Sequence, residues 1–401
     1  MWLVSALFIW SIAMISDGSG ATSRMPFLHA LVIGACIAPT DPVLSNTIVK
    51  GRWADQHVPG PIVLLISSES GANDGLGYPF LCFALYLVKY LGTRGSSGAA
   101  GDAWAAGHWG GARSAMGMWF GETWFYVIIM SVVWGGLVGY VSRKALQACK
   151  SRGWVHMEST CGMVGSNDIL ASFVAANALS WDNWFRKQTK NDAFEPTVDF
   201  LLNTSIFIWF GVVCPWPSFS SSIVPLWCLP VLAIVIILLR RPIPLLIIYW
   251  LLPQVKSVKE ALFMGYFGPI GVSAVFYQHF ALEFLLTEVL GANGEMREDA
   301  RILSETLRVI VWFMVMANIV VYGTSIPIYQ SSIYIMQRTP LWQATQEEKL
   351  RVSDIWQREK QHGWIHRLED GTMGIEHRMS LPLRRVRTYM EDNDYPDNES
   401  S

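Results

Sequence analysis

The chain has 401 residues, of which 52% are hydrophobic and only 15% are charged, and its formal net charge is −2. Ordinary soluble domains carry about 25% charged residues, so this composition favours a membrane protein. The near-neutral charge gives no basis for nucleic-acid binding. The six cysteines are scattered without a CxxC or a zinc-ligand spacing, which indicates free thiols rather than a disulfide or metal framework.

The first unusual stretch follows an apolar N-terminal segment, residues 1–15, that predicts a transmembrane helix. An apolar run over residues 28–38 ends in Pro39-Thr40-Asp41-Pro42. Proline removes a backbone donor and clashes with the preceding turn, so no helix runs straight through this point. Two interpretations stay open here: an interrupted helix lining a cavity within the membrane, or an interhelical loop with Asp41 as N-cap.

The second unusual stretch is residues 67–77, in the middle of an apolar run over residues 61–88 that is long enough to cross a bilayer. It contains Glu69, Asn73 and Asp74. A charge at membrane depth costs several kcal/mol and usually faces a cavity or a partner. The stretch therefore predicts a functional site, with an interfacial loop as the alternative.

The remaining chain alternates loops and apolar spans. We predict a flexible loop over residues 92–118, and the apolar segments are residues 124–141, 169–181, 198–213, 223–239, 261–285 and 307–336. Gly268-Pro269-Ile270-Gly271 interrupts the span at 261–285. Two interrupted spans in separate halves indicate an all-α polytopic membrane protein with the inverted-repeat fold of a transporter. We predict a membrane domain over residues 1–336 and a loosely ordered cytoplasmic tail over residues 337–401.

Several motifs in order resemble one family. They are Ala38-Pro39-Thr40-Asp41-Pro42-Val43, Glu69-Ser70-Gly71-Ala72-Asn73-Asp74-Gly75, Asp199-Phe200-Leu201-Leu202-Asn203, Arg240-Arg241-Pro242 and Phe267-Gly268-Pro269-Ile270-Gly271-Val272. Up to about Met336 the chain resembles the monovalent cation/proton antiporters, most closely the fungal plasma-membrane Na⁺/H⁺ antiporters.

The resemblance implies a function and a setting. The chain would be a multi-pass secondary transporter of the plasma membrane, not an enzyme. It would exchange Na⁺, with K⁺ or Li⁺ as alternatives, for H⁺ in cation and pH homeostasis. It would need no cofactor and would form homodimers in the lipid bilayer. Compared with the family, we expect this chain to be truncated at its N-terminus and to lack a span at residues 151–166.

The resemblance also implies roles for matched positions. Asp74, beside Asn73, would bind Na⁺ and H⁺ alternately, as a site for transported rather than structural metal. Thr40 and Asp41 would lie in the extended segment of a crossing helix. The supporting residues would be Glu69, Asp168 and Arg241. Na⁺ prefers oxygen ligands, as other hard cations do, and one carboxylate holds either ion but not both.

A closer expectation concerns two neighbouring arginines that follow a strongly apolar segment. We expect Arg241 to pair with Glu69, and Arg240 to extend toward the membrane interface.

Two other functions remain open from the residues. One is a non-transporting, degenerate paralogue that acts as a partner subunit. The other, more remote, is an intramembrane aspartyl protease in which Asp41 and Asp74 share a proton.

Overall fold

The computed structural model describes residues 1–16, 25–41, 45, 58–92, 111–152, 168–182, 194–220, 224–291, 294–337, 365–367 and 373–375. Within these ranges the chain is helical apart from connecting segments and two short strands. The α-helices are α1 (Trp2–Ser16), α2 (Phe27–Cys36), α3 (Gly60–Leu76), α4 (Tyr78–Leu91), α5 (Gly111–Met118), α6 (Ile129–Arg152), α7 (Asp168–Leu179), α8 (Phe194–Val213), α9 (Cys228–Leu239), α10 (Pro242–Ile248), α11 (Val258–Tyr266), α12 (Val272–Glu288) and α13 (Glu298–Gln337).

Three shorter helical segments complete the described helices. A π-helical segment, Trp119–Ile128, joins α5 to α6, and two 3₁₀ turns cover Trp216–Ser220 and Tyr249–Leu251. Three stretches of the described chain are long and apolar enough to span a membrane: Gly111–Ala145, Cys228–Leu251 and Glu298–Ser325.

The predicted loop over residues 92–118 is wrong at its C-terminal end, because α5 begins at Gly111. Ala115 on this helix is fully buried in a cluster with Cys82 and Tyr86 of α4. This packing outweighs the low helix propensity of the glycines that suggested a loop. Residues 93–110 lie outside the described part of the chain, as does the segment 153–167, where no span was expected.

The centre of the membrane domain is α2. Every residue from His29 to Cys36 is buried, as expected for a helix that is apolar on all sides. Helices α1, α4 and α12 pack around it. A side chain at Gly34 would meet the backbone of Ala6 at 3.0 Å, so glycine permits the close approach of α1. The first interruption therefore lies deep in the core.

A helix ends at each of the two predicted interruptions, and the choice between an interrupted helix and an interhelical loop at the first one stays a prediction. Helix α2 ends at Cys36, and residues 38–41 are not helical. Helix α11 ends at Tyr266, residues 267–271 are not helical, and α12 begins at Val272. The four cysteines whose side chains the structure describes are buried free thiols, as predicted: Cys36, Cys82, Cys214 and Cys228.

The chain divides into two compact units, Met1–Thr324 and Ser325–Ser401. Within the second unit, strands Ile365–Arg367 and Met373–Ile375 pair antiparallel, with Ile365 opposite Ile375. The rest of the tail beyond residue 337 lies outside the described residues. The predicted boundary at residue 336 and the loosely ordered tail stay predictions.

Candidate ion-binding site

The two interruptions are joined by hydrogen bonds. The backbone N–H of Asp41 donates to the carbonyl of Pro269 at 2.8 Å. The guanidinium of Arg240 donates to the carbonyl of Gly268 at 2.8 Å and also to that of Ile37. A broken helix leaves carbonyls without intrahelical partners, and at membrane depth those groups must be satisfied within the protein. The two interruptions thus provide hydrogen-bond partners for each other's backbone groups.

Helix α13 also binds the second interruption. The Oδ1 atom of Asn318 accepts from the N–H of Ile270 at 3.1 Å, and the hydroxyl of Tyr322 donates to the carbonyl of Tyr266 at 2.7 Å. The non-helical backbone at residues 267–271 is therefore anchored by the side chains of Asn318 and Arg240 and by the backbone N–H of Asp41. Such anchoring produces a defined shape rather than a flexible loop.

The carboxylate of Asp74 lies beside this crossing. Its side chain is buried, and its Oδ1 atom accepts a hydrogen bond from the hydroxyl of Ser273 at 2.6 Å. One turn further along α12, the hydroxyl of Tyr277 donates to the backbone carbonyl of Asp74. This carbonyl lies where α3 ends and α4 begins, at Gly77. A side chain at Gly77 would meet Pro39 at 2.9 Å and Tyr277 at 3.0 Å, so glycine lets three segments converge here.

Polar side chains from the first interruption lie on the same site. The amide Nδ2 of Asn73 is 3.4 Å from the hydroxyl of Thr40, which is fully buried. The hydroxyl of Ser70 is also fully buried and donates to that of Ser45 at 3.3 Å. Thr40 and Asn73, predicted as site residues from their motifs, are thus brought together.

The carboxylate of Asp41 faces the start of α12. A side chain on Gly271, the N-cap residue of α12, would overlap its Oδ2, Cγ and Cβ atoms. Asp41 is fully buried and lies within electrostatic range of Asp74. A negative charge near a helix N-terminus is favourable. The Asp41 carboxylate, from the first half of the chain, therefore stabilises the N-terminal end of α12 in the second half. The residues just after Asp41, 42–44, lie outside the described part of the chain.

The expected contact between Arg241 and Glu69 is present. The Nη2 atom of Arg241 lies 2.5 Å from Oε2 of Glu69, with side-chain exposures of 2% and 24%. Gly268 leaves room for this arginine, because a side chain there would overlap the guanidinium group. The contribution of this ion pair to transport remains a prediction.

The expectation for Arg240 is wrong. Its side chain is buried and does not extend to the membrane interface. The two helix-end carbonyls that it binds provide the acceptors that a buried guanidinium requires.

Asp168 is the first residue of α7, and its side chain lies outside the described structure. Helix α7 itself packs on α3: side chains at Gly71 and Gly75 would overlap Phe173 at 2.8 Å and Leu170 at 2.8 Å respectively. The helix that starts with Asp168 therefore adjoins the helix that carries Asp74.

The family model described as "Sodium/hydrogen exchanger, transmembrane" matches residues 1–330, which is most of the chain. The chain belongs to the sodium/hydrogen exchanger family. The antiporter resemblance of its motifs is thereby confirmed.

Named relatives of this exchanger-family chain are fungal. Na(+)/H(+) antiporter 2 of Zygosaccharomyces rouxii is 32% identical over 356 residues, covering 83% of this chain and 41% of that protein. The Na(+)/H(+) antiporter of Saccharomyces cerevisiae is 31% identical over 350 residues, covering 82% of this chain and 33% of that protein. This chain thus spans less than half the length of either relative.

A solved structure confirms the fold class. The sodium proton antiporter MjNhaP1 from Methanocaldococcus jannaschii superimposes with a TM-score of 0.52 at 15% sequence identity, covering 81% of this chain and 74% of that chain. At this identity the similarity supports the helical transporter fold and not a particular cation.

Sequence reasoning missed three residues of the candidate site: Ser70, Ser273 and Tyr277. A simple signal was available for each. Ser70 lies four residues before Asp74, and Ser273 lies four before Tyr277, so each pair shares one face of its helix. Polar residues repeated at that spacing beside a helix break indicate a buried polar face.

The arrangement suits a small hard cation. It presents a buried carboxylate, Asp74, together with side-chain oxygens of Thr40, Asn73, Ser70 and Ser273. Oxygen ligands favour hard cations such as Na⁺ over softer metals.

Proposed function

We propose that this chain exchanges Na⁺ for H⁺ across the plasma membrane, with Asp74 as the shared site for both ions. The observation behind the proposal is the buried Asp74 carboxylate, placed where two interrupted helices cross and hydrogen-bonded to Ser273 at 2.6 Å. The membership of the exchanger family supports the reaction. The names of the fungal relatives support Na⁺ as the cation.

Exchange follows from competition for one carboxylate. Asp74 can hold a proton or a cation, but a single carboxylate does not neutralise both at once. Thr40 and Asn73 supply oxygen atoms next to it, and Asp41 stabilises the crossing. Rocking of one helical repeat against the other then exposes the site alternately to the two sides of the membrane.

The remaining details are part of the same proposal. The Arg241–Glu69 pair neutralises the membrane interior near the site, and Asp168 acts at the start of the neighbouring helix α7. K⁺ and Li⁺ are further candidate cations, and the chain works as a homodimer. The exchanger family consists of transporters, so we do not retain the protease alternative.

Asp74→Asn tests the proposal most directly, because it keeps the shape of the side chain and removes its charge. We expect Na⁺-driven proton flux in proteoliposomes to fall to the level of protein-free vesicles, while the amount of inserted protein is unchanged. Glu305→Gln is the matched control, since Glu305 is an exposed carboxylate paired with Arg301 on α13. Flux at wild-type rates in Asp74→Asn would refute Asp74 as the exchange site.

The wild-type chain decides between the two remaining functions. Cation-dependent flux from purified protein supports exchange. Complete absence of flux, with binding to a full-length exchanger, would favour the partner-subunit function.

A further inference from the structure

Helix α12 begins between the two acidic residues of the site. Its N-cap residue, Gly271, packs on the carboxylate of Asp41, and two residues later the hydroxyl of Ser273 donates to the carboxylate of Asp74 at 2.6 Å. Ser273 is 4% exposed and Asp74 is 7% exposed. This contact thus joins residues from the two halves of the chain in the buried core.

The position of Ser273 is closely constrained. Tyr277, on the same face of α12, donates to the backbone carbonyl of Asp74. Gly77 makes room for the ring of Tyr277, because a Cβ atom at this position would lie only 3.0 Å from the ring. Two successive turns of α12 therefore contact Asp74, which places the backbone of Ser273 next to the Asp74 carboxylate.

We propose that Ser273 is an ion-binding residue: its hydroxyl donates to Asp74 when no cation is bound and offers its oxygen to the cation when one is. The proposal rests on Asp74 being the exchange site. It adds a ligand from the second interrupted helix to a site whose other side chains come from the first half of the chain.

The chemistry of a hydroxyl suits every state of the cycle. It donates to an ionised carboxylate, accepts from a protonated one, and rotates its hydrogen away when its oxygen faces a cation. Two oxygens 2.6 Å apart can both lie about 2.4 Å from one cation, which is within the range of oxygen–cation distances in proteins. A cation that binds the Oδ1 atom of Asp74 is therefore within reach of the Ser273 oxygen.

A consequence concerns coupling. A cation on Asp74 would replace the hydrogen bond to Ser273 with two bonds to the ion, so α12 responds directly to occupancy. Binding energy that differs between states is what shifts a conformational equilibrium. Ser273 would thus connect occupancy to movement of the second repeat.

Three variants separate a ligand from a packing residue. Ser273→Ala removes the oxygen, Ser273→Cys keeps nearly the same size but replaces a hard ligand with a soft one, and Ser273→Thr keeps the hydroxyl. Ser131→Ala is the matched control, because Ser131 is a fully buried serine on α6 whose hydroxyl donates to the carbonyl of Val127 at 2.6 Å.

The test measures two quantities: binding of radiolabelled Na⁺ to purified protein and Na⁺-driven proton flux in proteoliposomes. For Ser273→Ala and Ser273→Cys we expect the half-saturating Na⁺ concentration to rise about tenfold in both assays. Ser273→Thr should stay close to wild type, and Ser131→Ala should change neither value.

The opposite pattern overturns the proposal. If Ser273→Cys lowers the maximal flux or the yield of folded protein but binds Na⁺ like wild type, Ser273 only packs the helix. The two proposals also fail differently. Wild-type protein that binds Na⁺ through Ser273 without exchanging it contradicts the transport function alone, whereas normal exchange with unaltered affinity in the variants contradicts the role of Ser273 alone. Wild-type protein that binds no Na⁺ contradicts both.

Discussion

The two interruptions of the membrane domain do different work with different residues. The first, residues 37–41, contains Thr40 and Asp41, whose side chains are fully buried. The second, residues 267–271, consists of a phenylalanine, two glycines, a proline and an isoleucine. The first interruption therefore contributes side-chain oxygens, whereas the second contributes backbone groups and space.

The difference explains why the second interruption needs so many external partners. Its carbonyls at Tyr266, Gly268 and Pro269 accept from Tyr322, Arg240 and Asp41 respectively. Its N–H at Ile270 donates to Asn318. Without polar side chains of its own, this segment relies on its neighbours for a fixed conformation. Of two similar helix breaks in one site, one can thus supply the side chains for binding while the other supplies the backbone that holds the site in shape.

Gly271→Ala is the sharpest way to break this division. The added methyl would overlap the Asp41 carboxylate. Overpacking a core costs about 1–3 kcal/mol and occasionally more. Because the fully buried side chain of Asp41 must move to make room, we expect little folded protein and flux at background level.

The control for that prediction is Gly136→Ala on α6, where an added methyl meets nothing within 4 Å. Thermal unfolding of detergent-solubilised protein and proton flux measure both variants. Equal unfolding temperatures for Gly271→Ala and wild type would show that the two interruptions are not tightly packed against each other.

The two neighbouring arginines offer a second test. Arg240 donates hydrogen bonds to a backbone carbonyl in each interruption, and Arg241 forms an ion pair with the Glu69 carboxylate. Arg240→Gln should destabilise the protein by about 1–3 kcal/mol for each carbonyl left without a donor. Arg241→Gln leaves the Glu69 carboxylate without its partner. Because Glu69 is partly exposed, we expect a smaller loss of stability than for a fully buried charge.

A double substitution distinguishes the arginines. Replacing Glu69 by Gln should restore much of the stability and flux lost in Arg241→Gln, because the uncompensated charge is removed. The same replacement should not improve Arg240→Gln. Rescue of Arg240→Gln by Glu69→Gln would show that the two guanidinium groups share one function.

These contacts also mark how far sequence reasoning reached. Both interruptions were predictable because proline and glycine act on the backbone within a few residues. The burial of Asp74 was predictable because its carboxylate lies in the middle of an apolar run, and its role as the ion site stays a prediction. The burial of Arg240 was not, since one of its carbonyl acceptors lies 203 residues away in the chain.

Ser273 and the helix at residues 111–118 illustrate the same limit. The partner of Ser273 is 199 residues distant, and a serine after a helix break has several local explanations. The start of α5 looked like a loop because glycine has low helix propensity. Packing of Ala115 against α4 reversed that local preference. In each case a contact between distant segments decided the outcome.

The smallest expected effect concerns the first interruption alone. Thr40 is fully buried with its hydroxyl 3.4 Å from the Asn73 amide, so changes there should reshape the oxygen ligands without disturbing the hydrogen bonds between the interruptions. For Thr40→Ala and Thr40→Ser we expect the relative rates of proton flux driven by Na⁺, Li⁺ and K⁺ to change by a few fold. The free energy of unfolding should stay within about 1 kcal/mol of wild type.

Asp41→Asn should have the opposite effect, on stability rather than on selectivity. It keeps a hydrogen-bonding side chain against Gly271 but loses the charge that favours the N-terminus of α12, an interaction of about 0.3–2 kcal/mol. We therefore expect lower stability and a slower rate with unchanged cation order. Unaltered selectivity in both Thr40 variants would remove Thr40 from the ion site. A changed cation order in Asp41→Asn at normal stability would make Asp41 a cation ligand, and the first interruption would then supply the ion with a second carboxylate.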